Sequence, residues 1–91
     1  MLKYWINRIV GRPTVTGYGP EAIFYRENRR TIRIGVYRLQ RVATIDVGSI
    51  ISWDDKPEQV LDDTERRRIA NAVKLVLKSQ WGKDAEVHEI P

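Results

Sequence analysis

The chain has no cysteine and a single histidine. A disulfide framework and a thiolate metal site are therefore excluded. A histidine-based zinc centre needs several closely spaced ligands, which His88 alone cannot supply. Nucleophilic catalysis needs a nucleophile, a base and an orienting group. With no Cys, and with its one His next to the C-terminal residues, the chain offers no such set. His88 reads as a surface residue on an edge strand. Long apolar runs are also missing, so no segment approaches the ~20 residues of a membrane-spanning helix. Residues 1–10 carry Lys3, Asn7 and Arg8 among their apolar positions and lack the continuous core of a signal peptide. The Gly-rich piece at residues 17–20 has neither the spacing nor the Lys-Ser/Thr ending of a phosphate loop, and reads as a turn. The acid pairs Asp54/Asp55 and Asp62/Asp63 lack the alternation and the glycine of a calcium loop. The expectation is a protein that is not an enzyme, with no cofactor and no metal. The absence of cysteine fits a reducing cytoplasm.

What is present is one domain's worth of chain, 91 residues with 42% hydrophobic and 31% charged residues. The net charge of +4 is unevenly distributed. Residues 1–41 carry +7, residues 42–65 carry −6 and residues 66–91 carry +3. A nucleic-acid binder more often shows one unbroken basic footprint. An acidic belt between basic segments suits intramolecular pairing or a charged protein partner.

The strongest periodic signal runs from Asp62 to Trp81. Ile69, Ala72, Val73, Val76 and Gln80, flanked by Leu77, fall in one sector of a helical wheel. Asp62 followed by Glu65 is a capping-box spacing, and the acids at the start complement the helix dipole. Gly82 suits a left-handed C-terminal cap. Arg67, Asn71, Lys74 and Lys78 occupy the opposite face, with Leu75 beside it. Trp81 reads as a core plug between the helix end and the sheet. Trp53 reads as partly buried, with its indole N–H paired nearby.

The remainder reads as short strands. Residues 2–10 suit a strand or a short helix. Ala22 to Glu27 alternates weakly, with Ile23 and Tyr25 on one face and Phe24 and Arg26 on the other. Glu27 to Arg30 is a turn in which Asn28 tolerates a positive φ. Thr31 to Tyr37 alternates cleanly, with Ile32, Ile34 and Val36 directed to the core. A further strand spans Leu39 to Val47, broken by Gly48 and Ser49. Ile50 to Trp53 continues as a short apolar segment, Asp54 to Pro57 is a turn, and Glu58 to Leu61 suits a single helical turn. Glu86 to Ile90 forms a last short strand with Val87 and His88 on opposite faces. The fold class is α+β, a small, mostly antiparallel sheet of four to six strands with one helix packed on one face.

The hairpin region holds the constellation that composition leaves for function. Tyr25, Arg26, Arg29, Arg30, Arg33, Tyr37 and Arg38 lie within it, followed by Arg41. Arg and Tyr anchor protein interfaces. They also serve single-stranded nucleic acid, with bases stacked on aromatics and arginines on phosphates. An exposed sheet face kept soluble by charge has the same composition.

Ser49-Ile50-Ile51-Ser52-Trp53 follows a hairpin that has Gly35 near its end. An acidic turn with Pro57 comes next, then a helix opening at Thr64-Glu65-Arg66 that carries Ile69, Asn71 and Val73. Gly82, Glu86, Val87 and Ile90 complete the pattern. Over residues 22–90 the chain resembles immunity protein family seventy-four of bacterial polymorphic toxin systems. The resemblance implies an antitoxin that binds and neutralises a cognate toxin domain in the cytoplasm, as in contact-dependent growth inhibition. It carries no catalytic residues. It does not say which surface binds, and the oligomeric state stays open. The alternative function from the residues alone is a small basic nucleic-acid-binding domain.

Overall fold

The computed structural model describes residues 13–17, 21–39 and 42–89. The element expected over residues 2–10 lies outside them, as do Arg41 and Ile90. Five strands form one sheet in the order of the chain: β1 (Thr14–Gly17), β2 (Ala22–Glu27), β3 (Arg30–Leu39), β4 (Val42–Asp46) and β5 (Ala85–His88). The first three junctions are antiparallel, and β5 joins β4 in parallel after the single helix α1 (Asp63–Trp81). The architecture is α+β, with the helix on one face and a short final strand.

The hairpin β2–β3 closes through Asn28 and Arg29, at φ 50° and 66°. Two left-handed central residues give a type I′ turn, whose twist matches that of the paired strands. Its register sets Ile23 opposite Ile34 and Tyr25 opposite Ile32, so the inward set is continuous across the pair. Val15, Val36, Ala43, Ile45 and Ala85 extend that face to both sides. β1, a strand that periodicity does not announce, adds only Val15 to the core.

After β4 the chain makes a 3-10 turn, Val47–Ser49, then runs on beside β3. Asp46 Oδ1 accepts from the Gly48 N–H at 2.9 Å. Ser49 Oγ donates to the Asp46 carbonyl at 2.7 Å and accepts from the Gly35 N–H at 2.8 Å. A Cβ on Gly35 would lie 3.3 Å from Ser49 Oγ, so the position needs a glycine or a shifted serine. Asp54 then donates its N–H to the Thr31 carbonyl at 2.9 Å. Residues 50–53 are therefore an irregular border and not a strand. Ile50 and Trp53 turn inward while Ile51 faces solvent. Residues 58–61 form no helix. Isolated three-residue turn bonds, Trp53 to Lys56 and Lys56 to Gln59, carry the chain to the cap.

α1 begins at Asp62, whose carboxylate accepts from the Glu65 N–H at 2.8 Å, and ends at Gly82 with φ 63°. It buries Ile69, Ala70, Val73 and Leu77, with Ala72 and Val76 at the margins. The stripe is thus centred one step away from the expected one. The small Ala70 is fully buried within it. Burial of Ile69, Val73 and Leu77 contributes about 1.5–3 kcal/mol each. Trp53 is more deeply buried than the partial burial expected, whereas Trp81, expected in the core, is 57% exposed. The last turn of α1 overhangs β1, the edge of the sheet, and no described strand lies beyond it to cover the indole.

Candidate binding face

Alternation along β2 and β3 sorts the hairpin residues onto two faces. Across β1, β2 and β3 one row holds Thr14, Arg26 and Thr31, and the next holds Thr16, Phe24 and Arg33. Arg26 and Arg33 are exposed and Phe24 is half-buried. This is the sheet face that α1 leaves uncovered. Tyr37 is on the same face but four residues further along β3, about 13 Å from Arg33 at the usual strand rise. It pairs with Thr44, which is in turn opposite Glu86. Asp46, opposite His88, also falls on this side. The outer face therefore carries the exposed Arg26 and Arg33 over β2 and β3 and the exposed Glu86 on β5, whereas Asp46 is buried.

Two of the expected contact residues go elsewhere. Tyr25 is fully buried on the helix side, because it shares the parity of Ile23. The tyrosines in this stretch therefore do not line one surface. Arg30 stacks over the ring of Trp53, 5.0 Å from its centroid, and meets Asp55 at 3.5 Å. Its stem and head are engaged within the fold. Arg38 is described in its backbone alone, opposite Ala43. Arg29 is exposed at the turn. Of the expected set, Arg26 and Arg33 share the sheet face away from α1, with Arg29 at its tip and Tyr37 at a distance. Phe24 joins them. The alternation of β2 already places it on the face of Arg26, although composition draws attention to the two tyrosines of the arginine-rich run.

The acidic belt is largely consumed within the fold. Asp63 pairs with Arg66 and Arg67 at 3.3 and 3.0 Å. Glu65 receives Arg68. Arg68 also reaches across to the hairpin and donates to both carboxylate oxygens of Glu27, at 3.0 and 2.9 Å. The Tyr25 hydroxyl donates to the same carboxylate at 2.8 Å. Glu27 has a side chain only 16% exposed. Hydrogen bonding from the Arg68 guanidinium holds its carboxyl below the usual carboxylate range, against the opposing effect of burial. Burial and the bond to Glu27 push the Tyr25 hydroxyl up. This cluster ties the start of α1 to the end of β2.

The cationic face of the helix is similarly occupied. Arg67 lies 3.9 Å from Glu89, and Lys78 meets Asp84 at 2.9 Å. Between them Leu75 stands 71% exposed. At the other side of the helix end, the Gln80 amide meets β1. Its Oε1 accepts from the Val15 N–H at 3.1 Å and its Nε2 donates to the Val15 carbonyl at 2.9 Å. Beside it an open cleft of about 230 Å³ is lined by Val15, Gly17, Ile23, Leu77, Trp81 and Lys83. Gln80 was expected as part of an apolar stripe. Its role at the strand edge was invisible because β1 was.

Among the described residues no group of His, Asp and Glu could hold a metal ion, and no helix is long and apolar enough to cross a membrane. Comparisons with protein families, with curated proteins and with solved structures found no match.

Proposed function

We propose that the chain is a binding protein that neutralises a cognate toxin domain by stoichiometric association, with Arg26 and Arg33 as its principal contacts. The observation that carries this reading is the outer-face block, in which two exposed arginines flank Phe24 on a sheet face left uncovered by the helix. The toxin assignment draws on the resemblance over residues 22–90. The partner surface that fits is acidic, with an apolar spot for Phe24. Desolvated arginine–carboxylate pairs at such a surface give both affinity and register. The exposed Glu86 on β5 fixes the orientation by rejecting an acidic partner on that half.

The test is titration calorimetry against the C-terminal domain encoded by the adjacent upstream reading frame. A tight one-to-one complex is expected. The double reversal Arg26→Glu/Arg33→Glu should weaken it by roughly a hundredfold or more. No complex, or an unchanged affinity for the double variant, would overturn the reading. Arg30 is left out of the test because its replacement disturbs the Trp53 contact.

A second reading is favoured by the same block. Phe24 and Arg33, side by side across two strands, suit a stacked base and its phosphate. That reading predicts oligonucleotide binding at low salt that weakens steeply as salt rises. Absence of binding at low salt removes it.

A further inference from the structure

The edge of β1 carries an internal imitation of a strand. In an antiparallel sheet the residues of an edge strand alternate, one turning its N–H and C=O to the neighbour and the next turning both outward. Val15 is of the second kind, since both of its backbone groups are taken by Gln80. The glutamine amide donates and accepts as one peptide unit of an added strand would. Gln80 is itself exposed, at the last turn of α1, and only these two bonds hold its amide in place among the described contacts. Gly17, two residues on, shares the outward register, and a Cβ built there would meet nothing within 4 Å. The cleft that opens beside it has an apolar floor of Val15, Ile23 and Leu77, all buried, and an indole wall, Trp81, that is 57% exposed. Lys83 lines the same cleft and makes no ion pair with any described residue.

We propose that the β1 edge and the Trp81 cleft form a docking site for an extended segment of a partner protein. The backbone of that segment displaces the Gln80 amide from Val15. One aliphatic side chain enters the cleft against Trp81, and a neighbouring carboxylate meets Lys83. The occupant is a peptide because the group now seated there is a peptide-like amide with paired donor and acceptor. It is acidic because the cation that lines the cleft has no carboxylate partner among the described residues. Strand addition of this kind takes affinity from main-chain bonds and selectivity from the side-chain pocket. The site goes beyond the outer-face reading and shares no residue with it.

The test uses the whole chain and an end-blocked synthetic hexapeptide of alternating threonine and leucine with one glutamate. The readout is the amide shifts of Val15 and Gly17 and the Trp81 indole signal. Gln80→Ala removes the internal competitor and should bind about tenfold more tightly than the natural chain. Trp81→Ser, a change at an exposed position, should weaken binding at least severalfold. Gln80→Glu keeps the acceptor for the Val15 N–H but loses the donor, so it should fall between the natural chain and Gln80→Ala. It also serves as the test if the alanine variant does not stay folded. Equal affinity for the natural chain and both Gln80 variants would overturn the proposal, as would binding that leaves Val15 unshifted. Self-association of Gln80→Ala through β1 would overturn it in favour of a second copy as occupant. Peptide binding lost in Arg26→Glu/Arg33→Glu would move the site to the outer face, whereas failure of the toxin titration alone leaves this site untouched.

Discussion

The two ends of α1 are held by different means. At the start, Asp62 caps the first turn, and Arg68 ties it by two short bonds to Glu27, which Tyr25 supports from the core. At the finish, one glutamine amide reaches an edge strand, and a tryptophan stands mostly in solvent above an open cleft. The difference shows where stability and recognition can be separated. A half-buried, multiply bonded charge pair cannot be rearranged without leaving a charge unsatisfied. An exposed amide and indole can be displaced at little cost.

Breaking the first end should have the largest effect. Glu27→Leu removes the bidentate partner of Arg68, which keeps only Glu65, and leaves the Tyr25 hydroxyl without its acceptor. A loss of about 2–3 kcal/mol is expected, read as a lower urea midpoint at unchanged slope. The same pair sets an acid limit. Because the folded-state pKa of Glu27 lies below its ordinary value of 4.5, its contribution is present above that pH and fades as pH falls through the folded value. The stability of Glu27→Gln should therefore fall less steeply than that of the natural chain below about pH 4.5, in urea melts across a pH series. Asp62→Ala removes the cap bond and should cost about 1 kcal/mol. Gly82→Ala should cost a similar ~1 kcal/mol through the left-handed φ it must adopt. At the far end, Trp81→Ser should change stability by no more than about 0.5 kcal/mol, the usual range for a surface site. A larger loss there would erase the contrast.

Much of this arrangement was legible from local patterns. The helix, its acidic cap and its glycine stop follow from residues within a few positions of one another, as does the β2–β3 alternation that buries Ile32, Ile34 and Val36. The features that escaped depend on non-local partners. β1 has one inward residue in four, too few for a period. Trp81 suggests core because aromatics at a helix end usually have a sheet beneath them, whereas here no described strand lies beneath the indole. Composition puts Tyr25 with the surface arginines, whereas its parity with Ile23 places it inside. Arg30 needed Trp53, more than twenty positions away, before its stacking could be seen. Of the candidate site, Arg26 and Arg33 were readable, and the Gln80 edge was not.

The parallel pairing of β4 with β5 has a kinetic consequence. Each of the other three junctions joins neighbouring strands and can form as soon as a short loop closes. The β4–β5 ladder sets Ala43 against Ala85, so the helix and the irregular border must be spanned before it can form. Loop-closure entropy defers such contacts. The hairpins should therefore assemble first and β5 should dock last, together with the helix that delivers it. Until then the outer edge of β4 stays unpaired, and that interval is when a chain of this topology is most open to wrong partners.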